Sequence, residues 1–197
     1  MLLPAALIVT GYLCGSVASA IVVCRLSGLP DPRSGGSGNP GATNVLRLGG
    51  KRAALLTLIG DVLKGVLPVL AARALVSDPA VIAATALAAF LGHLYPLFFR
   101  FKGGKGVATT FGVVVALAWP VALAMAATWL LIAALTRYSS LAALCAGALA
   151  PLYALFLTHE LAHVTALGVM GALLIWRHRA NIRRLLAGSE SRIGSKG

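Results

Sequence analysis

The chain has 197 residues, of which 59% are hydrophobic and 11% charged, with a formal net charge of +12 and a mean hydropathy of +0.90. That composition excludes an ordinary soluble domain. So positive a charge can signal nucleic-acid binding, but membrane topology and small anionic substrates also produce it. The distribution of the basic residues favours the latter two.

Apolar runs recur at the length a helix needs to cross about 30 Å of hydrocarbon at about 1.5 Å per residue. They predict an all-α membrane protein with one domain over 1–197 and seven helices, at 2–24, 53–72, 80–99, 107–118, 121–136, 141–158 and 161–176. The first run has no positive segment before it, and Gly11-Tyr-Leu ahead of Cys14 is a poor lipoprotein cleavage site, so it is expected to stay as an uncleaved span. Cys14, Cys24 and Cys145 lie in apolar runs without metal-type spacing and are read as small buried hydrophobes.

Between the first two spans, Ser37-Gly-Asn-Pro-Gly-Ala-Thr-Asn44 breaks the apolar pattern. Glycines let successive backbone N–H groups converge on an anion, Ser, Asn and Thr add short donors, and Arg47 supplies a planar cation suited to phosphate. Asp61 and Lys64 follow inside the second span at i, i+3, placed to pair beneath that loop. His93, in Gly92-His-Leu-Tyr-Pro96, is expected to cap or orient the next loop rather than react.

That loop, Arg100-Phe-Lys-Gly-Gly-Lys-Gly-Val-Ala-Thr109, repeats the recipe: glycines, lysines, then a helix start whose N–H groups suit an anion. It lacks the Walker A spacing. Further on, Val107–Thr136 is too long for one span, and Trp119-Pro120 marks a turn inside it. Arg137-Tyr-Ser-Ser140 adds a cation and hydroxyls. In the tail, His178 and Asn181 are three apart on a helix that is otherwise strongly basic.

With seven spans, the loops 25–52, 100–106 and 137–140 and the tail 177–197 share one face. They hold 15 of the 17 basic residues, all but Lys64 and Arg73. The positive-inside rule puts that face in the cytoplasm and the N-terminus outside. Six spans would export a tail carrying six basic residues.

Two further readings remain open at this point. His159-Glu-Leu-Ala-His163 matches the H-E-x-x-H zinc-hydrolase pattern, which makes an intramembrane zinc protease the alternative; a third ligand is lacking nearby except for Asp78. A phosphate or lipid transporter is the other, although no internal repeat supports it. The five acids, Asp31, Asp61, Asp78, Glu160 and Glu190, form no cluster suited to Mg²⁺.

Three blocks carry a resemblance: Gly15-Ser16 with Gly36 through Arg47; Gly92 through Thr109; and Arg177 through Gly188, with Asp61-Val-Leu-Lys-Gly65 fitting as well. Together they resemble the bacterial acyl-phosphate-dependent glycerol-3-phosphate acyltransferases across almost the whole chain. The resemblance implies transfer of a fatty acyl group from acyl phosphate to the 1-hydroxyl of glycerol 3-phosphate, giving lysophosphatidic acid, at a cytoplasm-facing site of the bacterial inner membrane. It implies that Ser37, Gly38, Asn39, Thr43, Asn44 and the Gly103-Gly104 backbone hold acyl phosphate. Arg47, Lys105, Ser140, His178 and Asn181 then bind glycerol 3-phosphate, the last four serving catalysis. No cofactor or metal is implied. The partners are the two substrates and membrane lipids, not nucleic acid, and the protein is expected to be a monomer.

Overall fold

In the computed structural model, residues 2–194 are described; Met1 and residues 195–197, including Lys196 of the basic tail, lie outside them. The described residues form nine α-helices and one short 3₁₀ turn, with no strand among them. They fall into two compact units, Met1–Leu117 and Ala118–Gly197.

The first unit holds α1 (Leu2–Gly15), α2 (Ser19–Leu26), α3 (Ala42–Leu75), α4 (Pro79–Leu94) and α5 (Val107–Leu117), with the 3₁₀ turn at Leu97–Phe99. The expected first span is not continuous: α1 and α2 meet at a bend of 43°. Ser16 through Ala18 interrupt the helix, and apolar surroundings cannot hydrate the exposed carbonyls. The chain supplies the partners itself. Ser16 Oγ donates to Tyr12 O at 2.8 Å, and Lys64 Nζ donates to Val17 O at 2.8 Å.

Lys64 also pairs with Asp61 at 2.8 Å, one helical turn back on α3, with both side chains buried. Two opposite charges that each lose their water need such a contact to remain ionised. The sequence expectation of a structural ion pair therefore holds, with one addition: the ammonium also satisfies the broken first helix.

Helix α3 begins eleven residues earlier than the expected 53, at Ala42, so the segment 25–52 is not all loop. A kink at Gly50, at φ 76°, separates the first two turns from the long helix. A left-handed backbone of this kind costs glycine little and any other residue more. Ala20 and Cys24 of α2 pack with Val45 and Ala53 of α3, so a small apolar core lies under these first turns.

Close packing on small residues explains the rest of this unit. A Cβ on Gly15 of α1 would collide with Ala89 O of α4, and one on Gly92 of α4 with Tyr12 O of α1. Between α3 and α5, Gly65 lies against Thr109 O and Gly112 against Val62 O. Where helices gain nothing by hiding apolar surface from lipid, such backbone approach supplies dispersion contact instead.

The second unit holds α6 (Trp119–Thr136), α7 (Ser139–Leu157), α8 (Leu161–Arg177) and α9 (Arg179–Leu186). The expected turn at Trp119-Pro120 falls slightly earlier: Ala118 is extended and Pro120 lies in the first turn of α6. Thr128 of α6 and Tyr153 of α7 share a hydrogen bond at 2.6 Å. Gly171 of α8 packs on Gly147 of α7. Helices α8 and α9 bend by 58° at His178.

By length and composition, four described helices can cross a membrane, or six if each bent pair is one span; α5, with 11 residues, is shorter. The expected helix 80–99 divides into α4 and the 3₁₀ turn, because Pro96 restricts Tyr95 to a non-helical conformation. Removing the Lys64 charge should expose the cost of the buried pair. Lys64→Met is expected to destabilise by about 3–5 kcal/mol, with Asp61→Asn on the same chain recovering most of it. Thermal unfolding in detergent measures this, and equal stability of Lys64→Met and wild type would contradict an ionised Asp61.

Candidate active site

Residues 27–41 form the first polar loop, and its shape depends on one side chain. Asn44, on the first turn of α3 and 1% exposed, donates from Nδ2 to Pro32 O at 2.8 Å and Gly35 O at 3.0 Å. Its Oδ1 accepts from Ser37 N at 2.8 Å. Both amide donors are thus committed to the loop. Asn44, grouped by resemblance with the phosphate-holding residues, has the geometry of a residue that shapes the cradle.

Ser37 and Gly38 are exposed at the tip of this loop, Asn39 is half-buried, and Gly38 has φ 67°. Gly41 stands in extended conformation before Ala42. Thr43 and Arg47 follow at i, i+4, both exposed on one face of the first turns of α3. The N-terminal N–H groups of that helix add partial positive charge beside them.

Asp31 and Arg33 brace the base of the loop. Arg33 Nη2 meets Asp31 Oδ2 at 2.6 Å, and hydrogen bonds from Arg33 hold the Asp31 carboxyl below the usual range. The same guanidinium donates from Nη1 to Phe99 O at 3.3 Å, which reaches the second glycine loop.

That second loop turns through left-handed Arg100 and Phe101, both at φ 57°, and through Gly106 at φ 88°. Gly103 and Gly104 are buried and Lys105 half-buried. A Cβ on Gly104 would lie 3.2 Å from Pro40 O of the first loop. The structure therefore brings together Ser37–Asn44 and Gly103–Lys105. Segments in contact cannot lie on opposite faces of a bilayer, so the expectation that they share a face is met.

In the second unit the expected residues gather around an acid that sequence reasoning passed over. Glu190 Oε1 accepts from Ser140 Oγ at 2.7 Å and from Asn181 Nδ2 at 2.6 Å, and Oε2 accepts from Arg184 Nε at 2.6 Å. Burial disfavours the charge, yet the hydrogen bonds from Asn181, Ser140 and Arg184 outweigh it and hold the carboxyl below its usual value. The tail that carries Glu190 is tied down further on. Ile193 N donates to Arg137 O at 2.6 Å, and Arg137 Nη2 to Ile193 O at 2.8 Å. The signal was present, because Glu190 is one of only five acids and sits in the most basic stretch of the chain.

His178 is 3% exposed at the bend between α8 and α9. Its Nδ1 lies 2.8 Å from Leu174 O, an atom that can only accept. Nδ1 therefore carries a proton and donates it in that hydrogen bond.

The H-E-x-x-H segment does not take the form zinc hydrolases need. His159 has φ 56° and Glu160 precedes α8, which starts at Leu161, so the two histidines do not share a helical face. Among the described residues no group of three or more His, Cys, Asp or Glu is placed to hold a metal.

The chain is similar to known proteins along nearly its whole length. Residues 5–188 match the family described as Glycerol-3-phosphate acyltransferase. A Glycerol-3-phosphate acyltransferase of Thioalkalivibrio sulfidiphilus is 60% identical over 196 residues, covering 100% of this chain and 97% of the relative. One of Halorhodospira halophila is 59% identical, covering 97% of each. The crystal structure of PlsY (YgiH), an integral membrane glycerol 3-phosphate acyltransferase in its glycerol 3-phosphate form, superposes with TM-score 0.93 at 45% identity, over 97% of this chain and 96% of that one. The form of that enzyme with lysophosphatidic acid gives 0.89 at 43% identity, over 97% and 95%.

The Glu190 cluster has a pH signature. A carboxyl held below its unfolded value stabilises the fold fully above that value, about 4.3, and the contribution is lost as pH falls through the folded value. Glu190→Gln should therefore melt below wild type at neutral pH, with the gap closing under about pH 4. A gap independent of pH would contradict a charge-assisted role.

Proposed function

As this integral membrane chain belongs to the glycerol-3-phosphate acyltransferase family, we propose that it transfers a fatty acyl group from acyl phosphate to the 1-hydroxyl of glycerol 3-phosphate, releasing lysophosphatidic acid and phosphate. The observation that carries this reading is the contact of two glycine-rich loops that gather short polar side chains and cations at one place. The forms of PlsY with glycerol 3-phosphate and with lysophosphatidic acid support the acceptor and the product.

The residue roles follow from donor and acceptor chemistry. Ser37, Gly38, Asn39, Thr43 and the Gly103-Gly104 backbone hold the acyl phosphate, with Asn44 acting through the shape of the loop. Arg47 and Lys105 meet the phosphate of glycerol 3-phosphate as donors and charges. Its glycerol end falls to Ser140, His178 and Asn181, as the resemblance implies. Ser140 Oγ and Asn181 Nδ2 both donate to Glu190 Oε1, which fixes the two side chains in place. The whole chain is taken to work as one catalytic domain, a reading the family match over residues 5–188 supports.

Acyl phosphate is a mixed anhydride, already activated, so no enzyme nucleophile is required. The glycerol 1-hydroxyl attacks the acyl carbon. An ester C–O bond forms, the anhydride C–O bond breaks, and phosphate departs. The hydroxyl proton passes to the departing phosphate, with His178 Nε2 orienting the hydroxyl or relaying the proton. Positioning and charge neutralisation supply the acceleration.

The site faces the cytoplasm of the inner membrane, as the 15 basic residues on one face favour. The count of seven spans adds α5 to the six that length allows. At about 1.5 Å per residue its 11 residues fall short of the hydrocarbon core, so α5 must cross where neighbouring helices shield its ends.

Purified protein given synthetic acyl phosphate and labelled glycerol 3-phosphate should form lysophosphatidic acid; no product under those conditions would refute the reading. Arg47→Lys loses the forked contact, and its KM for glycerol 3-phosphate should rise about tenfold or more. An unchanged KM would remove Arg47 from that role.

A further inference from the structure

One set of buried polar side chains in the first unit has no role in the proposed chemistry. Asp61, Lys64, His93 and Thr109 are all buried, and they meet where α3, α4 and α5 come together below the second glycine loop. His93 Nδ1 lies 3.0 Å from Thr109 Oγ1 and 3.6 Å from Asp61 Oδ1. Asp61 is held in turn by Lys64 at 2.8 Å.

The other edge of the imidazole has a different neighbour. A Cβ on Gly104 would collide with His93 Nε2, and one on Gly103 with His93 O. Gly104 N donates to that same carbonyl at 3.2 Å. The backbone of the glycine pair thus lies directly on His93, both on its main chain and on its ring. Only glycines leave room for this, which gives Gly103 and Gly104 a packing reason beyond any contact with phosphate.

We propose that His93 is a positioning residue, oriented by Asp61 and Thr109, that sets the height of the Gly103-Gly104-Lys105 backbone and so the placement of its anion-binding groups. Any residue at 93 could offer its carbonyl to Gly104. The ring is what makes the position specific, because fixing Nδ1 on Asp61 and Thr109 directs Nε2 at Gly104. His93 lies in the last turn of α4 and Thr109 in the first turn of α5, so their hydrogen bond ties together the two ends of the connection 95–106. A connection closed at both ends has fewer conformations to lose when Lys105 meets an anion. Lys64 extends the linkage, since it neutralises Asp61 and caps the break in the first span.

This inference depends on the acyltransferase reading only for its kinetic readout, and the test keeps the two separable. The variants are Thr109→Val, which removes one hydroxyl at constant volume, and His93→Phe, which keeps a ring without nitrogen. Both are made in the full-length protein in detergent. Hydrogen–deuterium exchange should quicken about tenfold at the amides of 103–105 in each, with α3 amides unchanged. The KM of at least one phosphorylated substrate should rise about fivefold to tenfold, with kcat within about threefold of wild type. The double variant should be no worse than His93→Phe alone, because the hydroxyl acts only through the ring.

Unchanged exchange at 103–105 in Thr109→Val would overturn the proposal, as would effects that simply add. If His93→Phe fails to fold, Thr109→Val carries the same two readouts. If the wild type forms no lysophosphatidic acid, the function fails while exchange still decides this inference.

Discussion

A polar loop at the edge of a bilayer has to bring its own hydrogen-bond partners, because little water reaches its base and lipid offers none. That constraint organises the first unit. Asn44 commits both donors to the carbonyls of Pro32 and Gly35. Arg33 is braced by Asp31 and reaches Phe99 O. His93 supports the glycine pair, and Lys64 serves the carbonyl freed by the broken first helix. Each satisfies loop backbone from within the protein, and the result is two loops fixed against each other. Such preorganisation lets a site bind anions without ordering itself at the moment of binding.

The second unit solves a complementary problem. Its most basic segment would repel itself if nothing balanced it. Glu190 collects Ser140, Asn181 and Arg184, and in doing so it fixes the direction in which the first two can act. Both donate hydrogen bonds to its carboxylate and are held by them. His178 is held the same way by Leu174 O.

Much of this was legible in the residues. Apolar runs placed every long helix, since lipid exposure makes hydrophobicity nearly continuous rather than periodic. The motif blocks pointed to the loops that meet. What could not be read was local and depended on tertiary partners. The break at Ser16–Ala18 carries no proline, and the distant Lys64 helps to make it tolerable by donating to Val17 O. The early start of α3 was hidden because residues 42–49 include polar and glycine residues, and their helix is supported by Val45 packing on Ala20 and Cys24. Glu190 was overlooked because a lone acid in a basic tail resembles simple charge balance. The H-E-x-x-H pattern misled in the opposite direction: its spacing is correct for a helix, but the backbone at His159 is left-handed and the helix begins after Glu160.

At the centre of this account is simultaneous occupancy, with two phosphorylated molecules held together so that a hydroxyl can reach an acyl carbon. The most direct measurement is equilibrium binding to the full-length protein in lipid nanodiscs, using glycerol 3-phosphate and a non-reactive acyl phosphonate in place of acyl phosphate. The account predicts that each binds when the other is saturating, forming a ternary complex. Mutually exclusive binding, with either ligand displacing the other, would contradict it.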